Sequence, residues 1–85
     1  MAGGVTFSYE GHIIKYEDHH KRGMRLLIDD VEHDKVALCP ILIGSTLSGR
    51  LNNKSVRVRC KNLGIFYTVE LYINGVFVEK AKYFI

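Results

Sequence analysis

The sequence has no tryptophan, one proline and only two cysteines in 85 residues. It also lacks any apolar run near the 18 or so residues that a membrane-spanning helix needs. Its longest apolar stretches, 36–43 and 64–69, are about half that length and are interrupted by Cys39-Pro40 or by polar residues. The start, Met-Ala-Gly-Gly, has neither a basic n-region nor an apolar h-region, so no signal peptide is expected. Cys39 and Cys60 are too few for a disulfide framework and show no Cys-x-x-Cys spacing, so both are expected to be reduced packing residues. These absences lead to the expectation of a cytoplasmic chain without membrane association.

What is present is enough for one small core. A 47% hydrophobic share is too high for intrinsic disorder. The length allows a single domain over residues 1–85, with residues 1–4 expected as a disordered N-terminus. A chain of this mass buries about 60–65% of its unfolded surface.

No window shows a helical stripe; the dominant period is two. From Ser55 to Lys61, Val56, Val58 and Cys60 alternate with Arg57, Arg59 and Lys61, the pattern of a strand with one buried face. The aromatic and β-branched runs 67–73 and 76–84 flank Asn74-Gly75, a strong hairpin signal because a type I′ turn needs positive φ at both centres. A two-residue loop sets Ile73 opposite Val76, Leu71 opposite Val78 and Val69 opposite Lys80, with Val76 and Val78 inward. Outside lie a Tyr72–Phe77 aromatic pair and a Glu70–Glu79 like-charge pair.

A second hairpin turns at Asp29-Asp30. Residues 26–35 align with 71–80 at an offset of 45, and the strand 11–15 then corresponds to 56–60. This placement turns Met24, Leu26, Ile28 and Val31 inward, sets Arg25 opposite Asp34 and leans His33 toward the core rim, where a backbone hydrogen bond would hold it. Residues 5–9 and 12–16 pair across Glu10-Gly11, while 17–23 and the Ser-, Gly- and Asn-rich 44–54 read as irregular. Pro40 ends the strand that starts at Val31. The expected fold is all-β: an antiparallel sandwich or squashed barrel of seven or eight short strands, with two similar hairpin-containing halves. Internal duplication and shared hairpin grammar both account for the likeness.

Sites for chemistry are scarce. Glu17-Asp18-His19-His20 concentrates metal-ligand types, but adjacent side chains on an extended chain point opposite ways, and no second ligand pair lies at a familiar spacing. Gly44 and Gly49 precede Arg50-Leu51 where a phosphate loop needs Lys then Ser or Thr. Ser45, Ser48 and Ser55 have no nucleophile-elbow pattern around them. No catalytic residue, metal or cofactor is therefore assigned, and a non-enzymatic role is expected.

Charge gives the lead. The net +3 divides into −2 over residues 1–42 and +5 over 43–85, with five cations and no acid between Arg50 and Lys61. Arg50, Lys54, Arg57, Arg59 and Lys61, flanked by Tyr67, Tyr72 and Phe77, form the candidate surface. The favoured partner is an acidic protein surface, reached by electrostatic steering and then aromatic burial. Single-stranded nucleic acid, through phosphate contacts and stacking on Tyr67 or Tyr72, is the alternative. A homodimer through the exposed aromatics is the third, and cations that only guard an edge strand against pairing are the fourth.

Overall fold

Eight strands account for nearly all of the residues that the computed structural model describes, which are 2–19, 23–36, 45–62 and 66–84. They are β1 (Ala2–Tyr9), β2 (His12–His19), β3 (Gly23–Ile28), β4 (Val31–Val36), β5 (Ser45–Leu51), β6 (Lys54–Asn62), β7 (Phe66–Ile73) and β8 (Val76–Phe84). They form two antiparallel meanders, β1-β2-β3-β4 and β5-β6-β7-β8. The expected all-β architecture is therefore what folds. The sheets stack their apolar faces as a sandwich, and no backbone ladder joins them among the described residues.

The core is the inward half of each alternation. Phe7, Ile14, Tyr16 and Leu26 from the first sheet meet Leu47, Val58, Val69 and Leu71 from the second, each essentially inaccessible to solvent. β5 reaches this core although it reads as irregular. Leu47 and Leu51 keep the period, but Gly49 stands at the inward position between them. A side chain at Gly49 would meet His33, whose Cβ would lie 2.9 Å from the new methyl. Gly49→Ala is therefore expected to cost about 1–3 kcal/mol, read from a denaturation midpoint. An unchanged midpoint would show that the β4–β5 seam yields freely.

That seam explains His33. Asp34 Oδ2 accepts from the Ser48 amide at 2.8 Å, and His33 Nδ1 accepts from the Arg50 amide at 3.4 Å. Two amides on the open edge of β5 are thus met by side chains of β4, which covers an edge without extending the sheet. His33 makes the backbone bond expected of it, but from an exposed position over Gly49 and not from the core rim.

Two β-bulges shift the pairing that simple alternation implies. In the first hairpin Leu27 faces Glu32 and Leu26 faces Asp34, leaving His33 as the extra residue. In the second, Tyr72 faces Phe77 and Leu71 faces Glu79, leaving Val78 extra. An extra residue reverses the phase of everything beyond it. Val69 therefore faces Ala81, Glu70 faces Lys80 where Glu79 was expected, and Arg25 faces Lys35 where Asp34 was expected. Val31, Val76 and Val78, assigned inward from the sequence, are 59%, 65% and 38% exposed on the edge strands β4 and β8.

The halves share more than hairpin grammar. Their bulges and turns coincide at the offset of 45. Asp29 Oδ1 accepts from the Ile13 amide at 3.0 Å and Asn74 Oδ1 accepts from the Ser55 amide at 2.9 Å. Each turn amide donates back, Asp29 to the Ile13 carbonyl and Asn74 to that of Ser55. The first two strands follow a different offset. Ile14 faces Ile28 as Val56 faces Ile73, a separation of 42, so residues 11–15 do not correspond to 56–60. The second half has three more residues between these paired positions than the first.

Several segments differ from the reading by alternation alone. β1 includes residues 2–4, and Gly3 lies against the Tyr83 ring. β2 runs through Glu17, Asp18 and His19, because Glu17 engages Arg25 at 2.7 Å and Asp18 accepts from the Tyr83 hydroxyl at 2.7 Å. Ser45 and Ser48 belong to β5 and Ser55 to β6. His20, Cys39, Pro40 and the run 41–43 lie outside the described residues.

Candidate functional site

Register defines the outer face of the second sheet. Residues opposite one another in adjacent strands point to the same side, so each cross-strand row is a line of neighbours. One row reads Ser48, Arg57, Tyr72, Phe77, and the next reads Thr46, Arg59, Glu70, Lys80. A third row sets Lys61, Thr68 and Lys82 side by side, and Arg50 faces Ser55 at the opposite end. The inward residues of β6, Val56, Val58 and Cys60, anchor the strand in the core and leave the alternate cations outside.

Six of the eight residues proposed from the sequence share this face: Arg50, Arg57, Arg59, Lys61, Tyr72 and Phe77. Tyr72 and Phe77 meet edge to face at 5.8 Å, and Phe77 is half exposed. The other two lie elsewhere. Lys54 sits opposite Leu51, reaches the first sheet and donates to Glu10 at 2.8 Å and to the Tyr9 hydroxyl at 3.4 Å. The Glu10 carboxylate raises the Lys54 pKa, and Lys54 lowers that of Glu10. Tyr67 is opposite Tyr83 on the inner side, ring centres 5.1 Å apart. Lys54 and Tyr67 were placed by nearness in sequence, whereas parity along each strand decides the face.

Lys80 and Lys82 join the site unforeseen. Pairing without a bulge puts Lys80 opposite Val69 on the core side; the extra Val78 turns it outward beside Glu70. Lys82 lies 5.1 Å from the centre of the Phe66 ring. Both belong to the outward alternation once the bulge is counted.

The face carries six cations, Arg50, Arg57, Arg59, Lys61, Lys80 and Lys82, and one carboxylate, Glu70. That carboxylate is already engaged, by the Tyr72 hydroxyl at 3.2 Å and by Lys61 at 3.8 Å. Among the described residues Arg50, Arg57, Arg59 and Lys80 have no carboxylate within 4.0 Å. The first sheet is different. There Arg25 is held by Glu17 at 2.7 Å and Glu32 at 3.5 Å, and Lys15 lies 3.4 Å from Asp30. The first sheet pairs Arg25 and Lys15 with its own carboxylates, whereas the second leaves Arg50, Arg57, Arg59 and Lys80 without one among the described residues.

Between β5 and β7 the free arginines floor a groove of about 390 Å³, lined by Thr46, Arg57, Arg59, Tyr72 and Gly75. Its polar groups are guanidinium donors and hydroxyls, a set that suits anions.

Among the described residues no group of three or more His, Cys, Asp or Glu is arranged to hold a metal ion. Cys60 is buried, and burial raises its thiol pKa, which disfavours the thiolate. No helix among the described residues is long and apolar enough to cross a membrane. Comparison with protein-family models, curated proteins and solved structures finds no match.

Proposed function

We propose that this chain is a non-catalytic cytoplasmic binding module that takes an acidic protein surface on the outer face of β5–β8. The observation that carries the reading is the pair Arg57 and Arg59, exposed, free of internal carboxylates and set in a groove walled by Tyr72. Uncompensated like charges on one face repel one another, and a partner's carboxylates would relieve that repulsion. The positive face steers an acidic surface into contact, the planar guanidinium forks pair with carboxylates, and burial of Phe77 against the partner slows dissociation. The net charge of +3 also suits a protein partner, being modest for a nucleic-acid module.

The test is capture of partners by the immobilised chain after nuclease treatment, alongside the double variant Arg57→Ser/Arg59→Ser. Both side chains are exposed, so the variant should fold with its stability within about 0.5 kcal/mol of the parent. The parent is expected to retain its partners and the variant to lose them. Recovery of the same partners by the folded variant would refute the assignment. Loss of all partners on nuclease treatment would point to nucleic acid instead. In that case affinity for a single strand through three to five phosphates should fall with salt, with a logarithmic slope of magnitude about 2–3.5.

A further inference from the structure

Resting on the acidic-partner reading, we infer that the groove over β6 takes the partner as an extended segment with acidic side chains at alternate positions. Two features of the face lead to this form.

The first is width. The groove lies over β6 between Thr46 on β5 and Tyr72 on β7. β5 and β7 flank β6, so their backbones are about 9.6 Å apart. An α-helix with its side chains is about 10–12 Å across and overfills that space, whereas a single extended chain fits. The two sides are unequal: β5 presents the small hydroxyl side chains of Ser48 and Thr46 opposite Arg57 and Arg59, whereas β7 presents the Tyr72 ring and the Glu70 carboxylate, so an acidic extended chain settles beside β5.

The second is spacing. Arg57 and Arg59 are two residues apart on one strand, which separates their stems by about 6.6 Å. Alternate side chains of an extended ligand leave the same face at the same interval, so two carboxylates in an acid-x-acid pattern meet two guanidinium forks. Contiguous acids point to opposite sides of the chain, and only one would meet an arginine.

The experiment uses fluorescence anisotropy at low salt with two labelled peptides of equal composition, one patterned aspartate-threonine-aspartate-threonine-phenylalanine and one with the aspartates contiguous. A single-stranded thymidine oligonucleotide forms the third arm. The alternating peptide is expected to bind about threefold to fivefold more tightly, the value of one exposed charge pair, and to lose binding to Arg57→Ser/Arg59→Ser. Equal affinity for both peptides, still dependent on the arginines, would overturn the extended register while leaving the acidic-partner reading in place. Binding of the oligonucleotide with neither peptide retained would overturn both.

Discussion

Above pH 10 the protein should lose stability at about 3 kcal/mol per pH unit. The cause is a cluster at one end of the sandwich. Tyr16 is buried, its ring 6.2 Å from that of Tyr83, and Tyr83 donates to Asp18. Burial raises the pKa of both phenols, and the bond to Asp18 raises that of Tyr83 further. Burial also raises the Cys60 thiol from its ordinary value of 9.0. Each group keeps its proton in the folded state at a pH where the unfolded chain has released it. The unfolded state then binds fewer protons, so stability falls as pH rises. One such group costs about 1.4 kcal/mol per pH unit above its unfolded pKa. Tyr16 and Tyr83 act from about pH 10, which makes two, and burial shifts Cys60 and Tyr67 in the same direction. A domain of this size has on the order of 4–13 kcal/mol in total, so at the lower end of that range unfolding is expected by about pH 12. Denaturant midpoints at stepped pH, with tyrosinate absorbance followed in parallel, would check this. Tyr83→Phe should lower the slope by about half. A midpoint that stays flat to pH 11 would show that these groups ionise without unfolding.

Leu26→Ala and Leu71→Ala should each cost about 2–5 kcal/mol, whereas Val76→Ala should cost under about 0.5 kcal/mol. Leu26 and Leu71 occupy equivalent positions in the two halves, and both have no accessible surface. Truncation removes buried apolar area and leaves a cavity that the stacked sheets cannot fill by collapse. At about 4–8 °C per kcal/mol for a domain this small, the melting temperature should fall by roughly 10–40 °C. Val76 is 65% exposed, although it follows its turn where the alternation puts a core residue. The contrast tests whether the edge-strand valine lies outside the core although its partner Ile73 is buried. A Val76→Ala loss as large as that of the leucines would place Val76 in the core.

The sequence shows what local chemistry controls. Period-two apolarity marks β6 and β7, Asn74-Gly75 marks the β7–β8 turn and Gly11 the β1–β2 turn, because left-handed φ selects Asn and Gly. It conceals what depends on a neighbour across space. Val78 is an ordinary β-branched strand residue, and nothing in it marks the bulge that sends Lys80 outward. Gly49 looks like a break in a strand until His33 is seen packed over it. Glu17 and Asp18 read as loop residues until Arg25 and Tyr83 supply their partners. The candidate face is legible at Arg57 and Arg59, where one strand's alternation suffices. The same alternation puts Lys54 and Tyr67 on the inward phase of β6 and β7, so nearness in sequence, not a hidden contact, misplaced them.

The most direct test of the account is a titration of the isotopically labelled chain with the alternating acidic peptide, followed by amide chemical shifts. The largest shifts should fall at Thr46, Arg57, Arg59, Tyr72 and Phe77, with Lys15, Arg25 and Lys54 unmoved. Shifts centred on the first sheet or on Lys54 would contradict it.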